Sequence, residues 1–279
     1  MTKFSRRIGM GLIASAAGLA ALAPLQSFAQ PAAAAQPPKP TVVLVHGAFA
    51  DSSSWDGVVR RLQARHYPVI AAANPLRGPR FDAAAVAGIV DSIKGPVVLV
   101  GHSYGGSVIS AAASGKANVK ALVFVAAFAP EAGETAIGLT GKFPGSTLGP
   151  TLAPAVPLAD GGKDLYIQQD KFPAQFAADV PLAKAHLMAV GQRPIAEAAL
   201  NEPAETPAWK SVPSWFVYGD RDRNIPPAAM AFMAERAKAV KTVVVKGGSH
   251  VVMTSQPDAV MKVIAEAAAQ GSSFQLGAR

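Results

Sequence analysis

Short apolar runs alternate with alanine-rich helical stretches along most of this chain. Six runs rich in β-branched residues are typical of strands, and they cover residues 41–46, 68–72, 97–101, 119–126, 214–218 and 241–245. Helical stretches lie near residues 55–65, 82–93, 104–114, 226–239 and 257–270. Asp82 carries an N-cap side chain, so one helix is predicted to begin there. Because parallel strands need helical crossovers and are covered on both faces, the alternation predicts an α/β fold with a doubly wound, mostly parallel sheet.

The first residues of the chain are typical of an export signal. Lys3, Arg6 and Arg7 precede an apolar stretch over residues 8–25. This order predicts a signal peptide over residues 1–29 and a periplasmic or secreted protein without stable membrane association after cleavage. A partial twin-arginine pattern leaves the Sec and Tat routes both open, and an uncleaved membrane anchor is the structural alternative.

The rest of the chain is predicted to form one domain. Residues 30–40, made mostly of Ala, Pro and Gln, are predicted to be a flexible linker, and residues 271–279 a C-terminal tail. Half of the 279 residues are hydrophobic, which suffices for one sizeable core over residues 41–270.

One segment interrupts the alternation. Residues 131–211 are rich in Pro and Gly, with helical pieces at residues 163–169 and 173–188 and no convincing buried strand. Because this segment is too long for a connecting loop, we expect it to fold as a helical lid over the carboxyl edge of the sheet. That edge is where open α/β sheets place their sites.

Composition excludes several kinds of chemistry. The chain has no cysteine, so a thiolate nucleophile, a thiolate metal site and disulfides are impossible. Its formal charge of +8 comes from scattered basic residues, without the aromatic interleaving of a nucleic-acid reader, so we expect no nucleic-acid partner. Nothing in the sequence indicates a cofactor or a metal.

A candidate nucleophile follows the third strand. Residues 97–106 read Val-Val-Leu-Val-Gly-His-Ser-Tyr-Gly-Gly, a buried strand that leads into a G-x-S-x-G turn. Gly101 and Gly105 suit a sharp strand-to-helix turn in which neighbouring backbones leave no room for a Cβ. A serine hydroxyl needs such a turn, an adjacent base and backbone donors for the developing charge. The pattern therefore makes Ser103 the candidate nucleophile.

Candidate acid and base follow the serine in the chain order that this architecture uses. Of five histidines, His250 alone has the required position, after the last predicted strand. Two carboxylates, Asp220 and Asp222, follow the preceding strand, and either could orient the imidazole. We favour Asp222 because it follows the turn, whereas Asp220 is expected to be a turn former that bonds the local backbone.

Backbone donors for an oxyanion are predicted from two strand ends. The first strand leads into His46-Gly47-Ala48, a glycine turn that lets backbone N–H groups point into a site. We expect the two donors to be the N–H groups of Ala48 and of Tyr104, the residue after the nucleophile.

These motifs together resemble the α/β-hydrolase superfamily, in the branch that holds bacterial esterases, plant methylesterases and hydroxynitrile lyases. The resemblance spans roughly residues 40–270, and its specific motifs lie at residues 43–55, 101–106, 219–226 and 247–250. It implies a triad of Ser103, Asp222 and His250 with the oxyanion donors named above, and it implies no cofactor. The expected function is a serine hydrolase that cleaves small, largely apolar carboxylic esters through an acyl-enzyme.

Three alternatives stay open. Hydroxynitrile lyases of the branch carry a lysine directly after the catalytic histidine, whereas here Val251 and Val252 follow His250, which argues against a lyase. A cofactor-free perhydrolase uses the same triad. A ligand receptor could keep the fold and abandon turnover.

The class of substrate is predicted from the 131–211 segment and the residues just before it. Apolar side chains there could line a pocket or form the segment's own packing, and they are Phe128, Phe143, Phe172, Phe176, Leu187, Met188 and Trp209. Since the segment has no cluster of basic residues for a polyanion, the expected partner is a small, neutral, largely apolar ester.

Overall fold

The computed structural model describes residues 39–273, with side chains to residue 270. Its nine strands are β1 (Thr41–Val45), β2 (Val69–Ala72), β3 (Val97–His102), β4 (Val119–Val125), β5 (Val156–Pro157), β6 (Lys163–Leu165), β7 (Ile195–Ala196), β8 (Ser214–Gly219) and β9 (Lys241–Val245). Six of them form one parallel sheet in the order β2-β1-β3-β4-β8-β9. The predicted signal peptide, most of the predicted linker and residues 274–279 of the predicted tail lie outside the described residues.

Ten α-helices, four of them in the 131–211 segment, lie among the described residues. They are α1 (Asp56–Gln63), α2 (Pro79–Ser92), α3 (Gly105–Ala112), α4 (Ala136–Gly141), α5 (Phe172–Phe176), α6 (Leu182–Val190), α7 (Glu197–Asn201), α8 (Pro227–Arg236), α9 (Val252–Ser255) and α10 (Pro257–Ser273). Helix α2 packs against α3, and α1 packs against α10. The chain runs from β1 outward to β2 and then reverses through β3 to β9. Because crossovers are right-handed, this reversal places helices on both faces and confirms the predicted doubly wound α/β fold.

The buried core lies in the middle of the sheet. Every residue of β3 and β8 is buried, whereas the edge strand β9 is largely exposed. Register aligns Val45 of β1 with Gly101 of β3, and His102 with Val125 of β4. The carboxyl ends of the central strands therefore meet at one edge, where the loops that follow them can contact one another.

One helix begins earlier than its sequence indicates. Helix α2 starts at Pro79, so Asp82 lies in the first turn and is not the N-cap. The carboxylate of Asp82 accepts instead from the Arg77 N–H at 3.1 and 3.2 Å and from the Tyr104 hydroxyl at 2.7 Å. The Asp82 side chain therefore bonds a backbone amide just before the helix and a tyrosine remote in sequence, and it does not cap the helix.

The 131–211 segment differs from the helical insertion expected. Its strands β5, β6 and β7 form a small antiparallel sheet, so the helix predicted over residues 163–169 is wrong. Asp164 of β6 pairs with Ala196 of β7, a partner remote in sequence. The helix predicted over residues 173–188 is divided into α5 and α6, because Ala177 leaves the helical conformation and Pro181 precedes α6.

Candidate active site

Ser103 lies at a sharp turn between β3 and α3. Its backbone φ is +54°, which is strained for a residue with a side chain. The turn is tight because a Cβ on Gly101 would lie 2.5 Å from the carbonyl oxygen of Gly105. This geometry projects the Ser103 side chain from the carboxyl edge of the sheet, although Ser103 as a whole is only 6% exposed.

Three side chains form a continuous row of hydrogen bonds at this edge. Ser103 Oγ lies 2.9 Å from His250 Nε2, and His250 Nδ1 lies 2.6 Å from Asp222 Oδ2. Since a carboxylate only accepts, the Nδ1–H donates to Asp222 and leaves Nε2 free to accept from the serine hydroxyl. The structure therefore brings together Ser103, His250 and Asp222 in the order that activates a hydroxyl.

The neighbours of Asp222 keep its carboxylate aimed at the imidazole. Asp222 Oδ1 accepts from the backbone N–H groups of Asn224 at 2.8 Å and Ile225 at 3.0 Å, and the residue is 4% exposed. Asp220 is exposed and accepts from Gly247 N at 2.6 Å. It bonds a backbone amide, as a turn former does, but one in the loop after β9 and not in its own turn.

Two backbone N–H groups at the cavity have no partner. Within residues 39–273 the N–H groups of Ala48 and Tyr104 donate no hydrogen bond, and both residues border the cavity beside Ser103. The next amide, Phe49 N–H, is occupied by the carbonyl of Arg193 at 3.0 Å. Free amides beside a nucleophile are what a developing oxyanion requires.

His46 holds the peptide that carries one of these amides. His46 Nε2 accepts from Asn74 N–H at 3.0 Å, so the proton is on Nδ1, which donates to the Gly47 carbonyl at 2.9 Å. The Gly47 carbonyl and the Ala48 N–H share one planar peptide and point in opposite directions. Anchoring the carbonyl on His46 therefore directs the Ala48 N–H away from it. Burial lowers the pKa of His46, which keeps the ring neutral.

His102 holds the backbone of the residue that carries the base. It is fully buried, and its Nε2 lies 3.1 Å from the His250 carbonyl oxygen. Burial holds the pKa of His102 well below its ordinary value of 6.5, and nearby His250 lowers it further. A neutral ring donates from Nε2 to that carbonyl and so fixes the backbone of the residue that carries the base.

The row of side chains opens into a cavity of about 310 Å³. Its walls come from the strand-end loops and from the 131–211 segment, and most are apolar. The apolar lining residues are Ala48, Phe49, Phe128, Ala136, Ile137, Leu148, Leu152, Leu165, Phe176, Leu200 and Ile225. Glu197 and Asn201 of α7 and Thr140 of α4 add polar groups. The cavity can hold a small organic molecule.

Of the apolar residues predicted as pocket lining, only two border this cavity. Phe128 and Phe176 line it. Phe143 packs on Phe232, Phe172 packs on Phe176, and Trp209 Nε1–H donates to the Pro130 carbonyl at 2.9 Å. Met188 and Leu187 border a separate hollow next to Phe49, and Leu187 is 75% exposed. The other five residues pack within the segment, pack the segment against the rest of the domain, or border that separate hollow.

Several buried polar residues around the site were not predicted from the sequence. Asn74 follows β2, whose carboxyl end lies beside that of β1, so its proximity to His46 could have been deduced from strand order. Gln175 contacts the loop after β8 from 48 and 49 positions away, and no local pattern marks it.

Residues 39–273 contain no group of three or more His, Asp or Glu side chains placed to hold a metal ion. Among their helices, none has the length and apolarity needed to cross a membrane.

Comparison with known proteins identifies the family to which this fold and this serine-histidine-aspartate row belong. A model of the alpha/beta hydrolase family matches residues 42–263. The chain belongs to this family, which confirms the resemblance seen in its motifs.

Individual relatives are distant. Alpha/beta hydrolase nvfD of Aspergillus novofumigatus (strain IBT 16806) is 25% identical over 252 residues, which cover 83% of this chain and 98% of the relative. Polyneuridine aldehyde esterase superposes with a TM-score of 0.71 at 20% identity, covering 82% of this chain and 98% of that one. A pyrethroid hydrolase from Sphingobium faniae JZ-2 has a TM-score of 0.64 at 22% identity, with 82% and 97% covered. These structural likenesses establish a shared fold.

Proposed function

We propose that this protein is a serine hydrolase that cleaves small, largely apolar carboxylic esters through an acyl-enzyme. The observation that carries the proposal is the unbroken row from Ser103 Oγ through His250 to Asp222, placed beside two free amides. Two superposable proteins are named as an esterase and a pyrethroid hydrolase, which agrees with this chemistry.

In the first half of the reaction, the ester carbonyl enters the cavity with its oxygen between the Ala48 and Tyr104 amides. His250 Nε2 takes the proton of Ser103 as the Oγ attacks the carbonyl carbon, and the negative charge that develops on the oxygen is stabilised by the two N–H groups. Asp222 stabilises the imidazolium that forms. Collapse of the tetrahedral intermediate breaks the ester bond, and the imidazolium donates its proton to the departing alkoxide, which leaves as the alcohol.

In the second half, water replaces the alcohol. His250 removes a proton from the water as its oxygen attacks the acyl carbon, and the same amides stabilise the second tetrahedral intermediate. Collapse of that intermediate breaks the bond to Ser103 Oγ, which regains its proton from His250. The acid product leaves and the enzyme returns to its starting state.

The lining of the cavity supports an apolar substrate. Aromatic and aliphatic side chains form most of its wall, and a volume of about 310 Å³ is at the lower end for sites that bind small organic molecules. In this proposal the 131–211 segment is the lid that encloses the substrate at the carboxyl edge of the sheet. The expected secretory signal at residues 1–29, outside the described residues, leads us to propose a periplasmic or secreted location.

Replacement of Ser103 by Ala tests the mechanism. We expect the turnover number for a p-nitrophenyl ester of short acyl chain to fall by about 10⁴- to 10⁶-fold, with folding retained. A fluorophosphonate probe should add one phosphonyl group to the wild-type peptide that contains Ser103 and none to the variant. Retained turnover in the variant would refute the acyl-enzyme.

Assays of the wild-type protein separate the alternatives. A wild-type protein that binds esters, resists the probe and releases no acid product would be a receptor. Cleavage of a cyanohydrin without a burst of acyl-enzyme would indicate lyase chemistry, which the buried apolar Val251 and Val252 beside the base do not favour.

A further inference from the structure

Helix α5 of the 131–211 segment lies against the loop that carries Asp222. Gln175, on this helix, is 4% exposed, and its Nε2 donates to the Arg223 carbonyl at 2.9 Å and to Asn224 Oδ1 at 3.1 Å. The Arg223 guanidinium in turn donates to the Ala174 carbonyl at 3.1 Å. The segment and the acid-bearing loop are therefore joined by hydrogen bonds in both directions.

The chemistry of the partners fixes the orientation of the Gln175 amide. A backbone carbonyl only accepts, so the atom that faces the Arg223 carbonyl must be the NH₂ group. Its Oε1 then accepts from the Thr147 hydroxyl at 2.8 Å. The amide thus holds three partners at once, yet Gln175 is absent from the lining of the substrate cavity.

The residues that Gln175 holds are the ones that hold the acid. Asn224 N–H donates to Asp222 Oδ1, and the Asn224 side chain is the second acceptor of the Gln175 amide. A shift of this loop would weaken the bonds that aim Asp222 at the imidazole. The following residue, Phe176, packs its ring at 5.0 Å from the ring of His250, so the same helix also touches the base.

A third contact lies just after α5. The Ser249 hydroxyl donates to Asp179, and Ser249 is directly before His250 in the chain. Residues 172–179 therefore contact the loop that carries Asp222, the imidazole ring of His250 and the loop that carries His250. No other part of the 131–211 segment makes hydrogen bonds to both of these loops among the described residues.

We infer that Gln175 is a positioning residue that sets the Asp222–His250 geometry, so that the 131–211 segment aligns the acid and base as well as enclosing the substrate. This inference rests on the proposed function for its kinetic readout. The residue acts through the Arg223 carbonyl and the Asn224 side chain and touches no reacting atom.

Two variants of nearly equal size test it. Gln175→Met removes every hydrogen bond of the amide, and Gln175→Glu keeps an acceptor for Thr147 but has no donor for the Arg223 carbonyl. Because small displacements of a catalytic group cost up to about a hundredfold in rate, we expect either change to lower kcat by about ten- to a hundredfold. KM should change less than about twofold, since Gln175 does not line the cavity.

Gln192→Met is the matched control. Gln192 is also a buried glutamine of the segment, 9% exposed, and its side chain bonds Ile167 N–H and the carbonyls of Ile167 and Ala189, all within the segment. We expect this variant to lower the unfolding midpoint as Gln175→Met does while leaving kcat near the wild-type value. An equal fall of kcat in both would overturn the inference, because the effect would then be general loosening of the segment.

A double-mutant cycle tests whether Gln175 affects kcat through Asp222. In the Asp222→Asn background, Gln175→Met should have little further effect on kcat, because the acid that it positions is gone. A full and independent loss there would also overturn the inference.

A spectroscopic measurement separates this inference from the proposed function. The proton on His250 Nδ1, hydrogen-bonded to Asp222, should give a low-field NMR resonance whether or not esters are cleaved. We expect it to shift upfield or broaden in Gln175→Met and to stay unchanged in Gln192→Met. An unchanged resonance in Gln175→Met refutes the positioning role, whereas absence of ester turnover with the expected shift refutes only the proposed function.

Discussion

The six-stranded sheet and the 131–211 segment hold their parts of the site by different kinds of contact. In the sheet, β3 and β8 are buried along their whole length, and both pair in parallel with β4, with one register shift between Val97 and Val98 of β3. In the segment, helices have five to nine residues and strands two or three. Its attachment to the rest combines apolar packing, such as that of Phe143 on Phe232, with individual hydrogen bonds, such as those of Gln175 to the Arg223 carbonyl and of Arg77 to the Pro194 carbonyl.

This difference predicts which substitutions will lower stability and which will alter the geometry of the site. Sheet-borne groups are placed by close packing, so a single added atom there disturbs many contacts. The segment combines apolar packing with individual polar contacts to the loops of the site, so loss of one such hydrogen bond should alter geometry at the site without unfolding the protein. Each of the following variants tests one side of this contrast.

Two helical glycines give the largest expected difference. A Cβ on Gly106 of α3 would lie 2.2 Å from the Phe128 carbonyl oxygen and 2.8 Å from the Ala127 Cβ. Helix α3 cannot withdraw because it packs on the central strands, so Gly106→Ala should lower the free energy of unfolding by about 3 kcal/mol. Urea unfolding followed by circular dichroism measures the loss.

The control is a helical glycine of the segment. A Cβ on Gly141, the last residue of α4, meets no other atom within 4 Å among the described residues. Gly141→Ala should leave stability unchanged or raise it by about 0.5 to 1 kcal/mol, because alanine is the better helix former. Similar losses at both positions would break the contrast in packing.

The same contrast explains what could be predicted of the fold. The central strands β3 and β8 of the large sheet are buried on both faces, so their continuous apolar runs marked residues 97–101 and 214–218 without knowledge of their partners. Strand β6 has no such run, because Lys163 is exposed and its pairing with β7 depends on residues about thirty positions away. A three-residue strand stabilised by a remote partner leaves no local periodicity to detect.

Predictability of the site divides in a similar way. Ser103 and His250 follow strands that end at one edge, so chain order and strand topology were enough to place them together. Gln175 lies on a short helix whose position depends on the whole segment, and its partners at residues 223 and 224 are remote in sequence. A glutamine in a Pro-rich region carries no signal of such a contact.

Acid should destabilise the protein through a histidine on the sheet side. Burial holds the pKa of His102 below its ordinary value of 6.5, whereas in the unfolded chain the ring takes up a proton near that pH. Below pH 6.5 the unfolded state therefore binds more protons than the folded state. The stability contributed by the neutral ring is complete above pH 6.5 and declines below it, by at most about 1.4 kcal/mol per pH unit.

His102→Gln tests this pH dependence. Glutamine can still donate to the His250 carbonyl but does not titrate, so its stability should decline less steeply between pH 6.5 and pH 5 in urea unfolding. Gln192→Met provides the comparison, because it removes hydrogen bonds without removing a titratable group and should give a curve parallel to that of the wild type. Equal slopes for His102→Gln and wild type would show that His102 is not the group responsible.

The smallest effect is expected where the two regions meet, at Tyr104. Its hydroxyl donates to Asp82, which also accepts from the Arg77 N–H, and the Arg77 guanidinium pairs with Asp164 of β6 at 2.7 Å. Burial raises the pKa of Asp82, and the Tyr104 hydroxyl opposes that rise, so Tyr104→Phe should cost about 1 kcal/mol of stability. Turnover should fall less than about threefold, because the proposed oxyanion donor is the backbone N–H, which phenylalanine retains. Tyr218→Phe is the control, since Tyr218 is a buried residue whose hydroxyl makes no hydrogen bond within residues 39–273. A hundredfold fall of kcat in Tyr104→Phe alone would mean that the hydroxyl network, and through it the pairing with β6, positions the oxyanion amide as firmly as the sheet does.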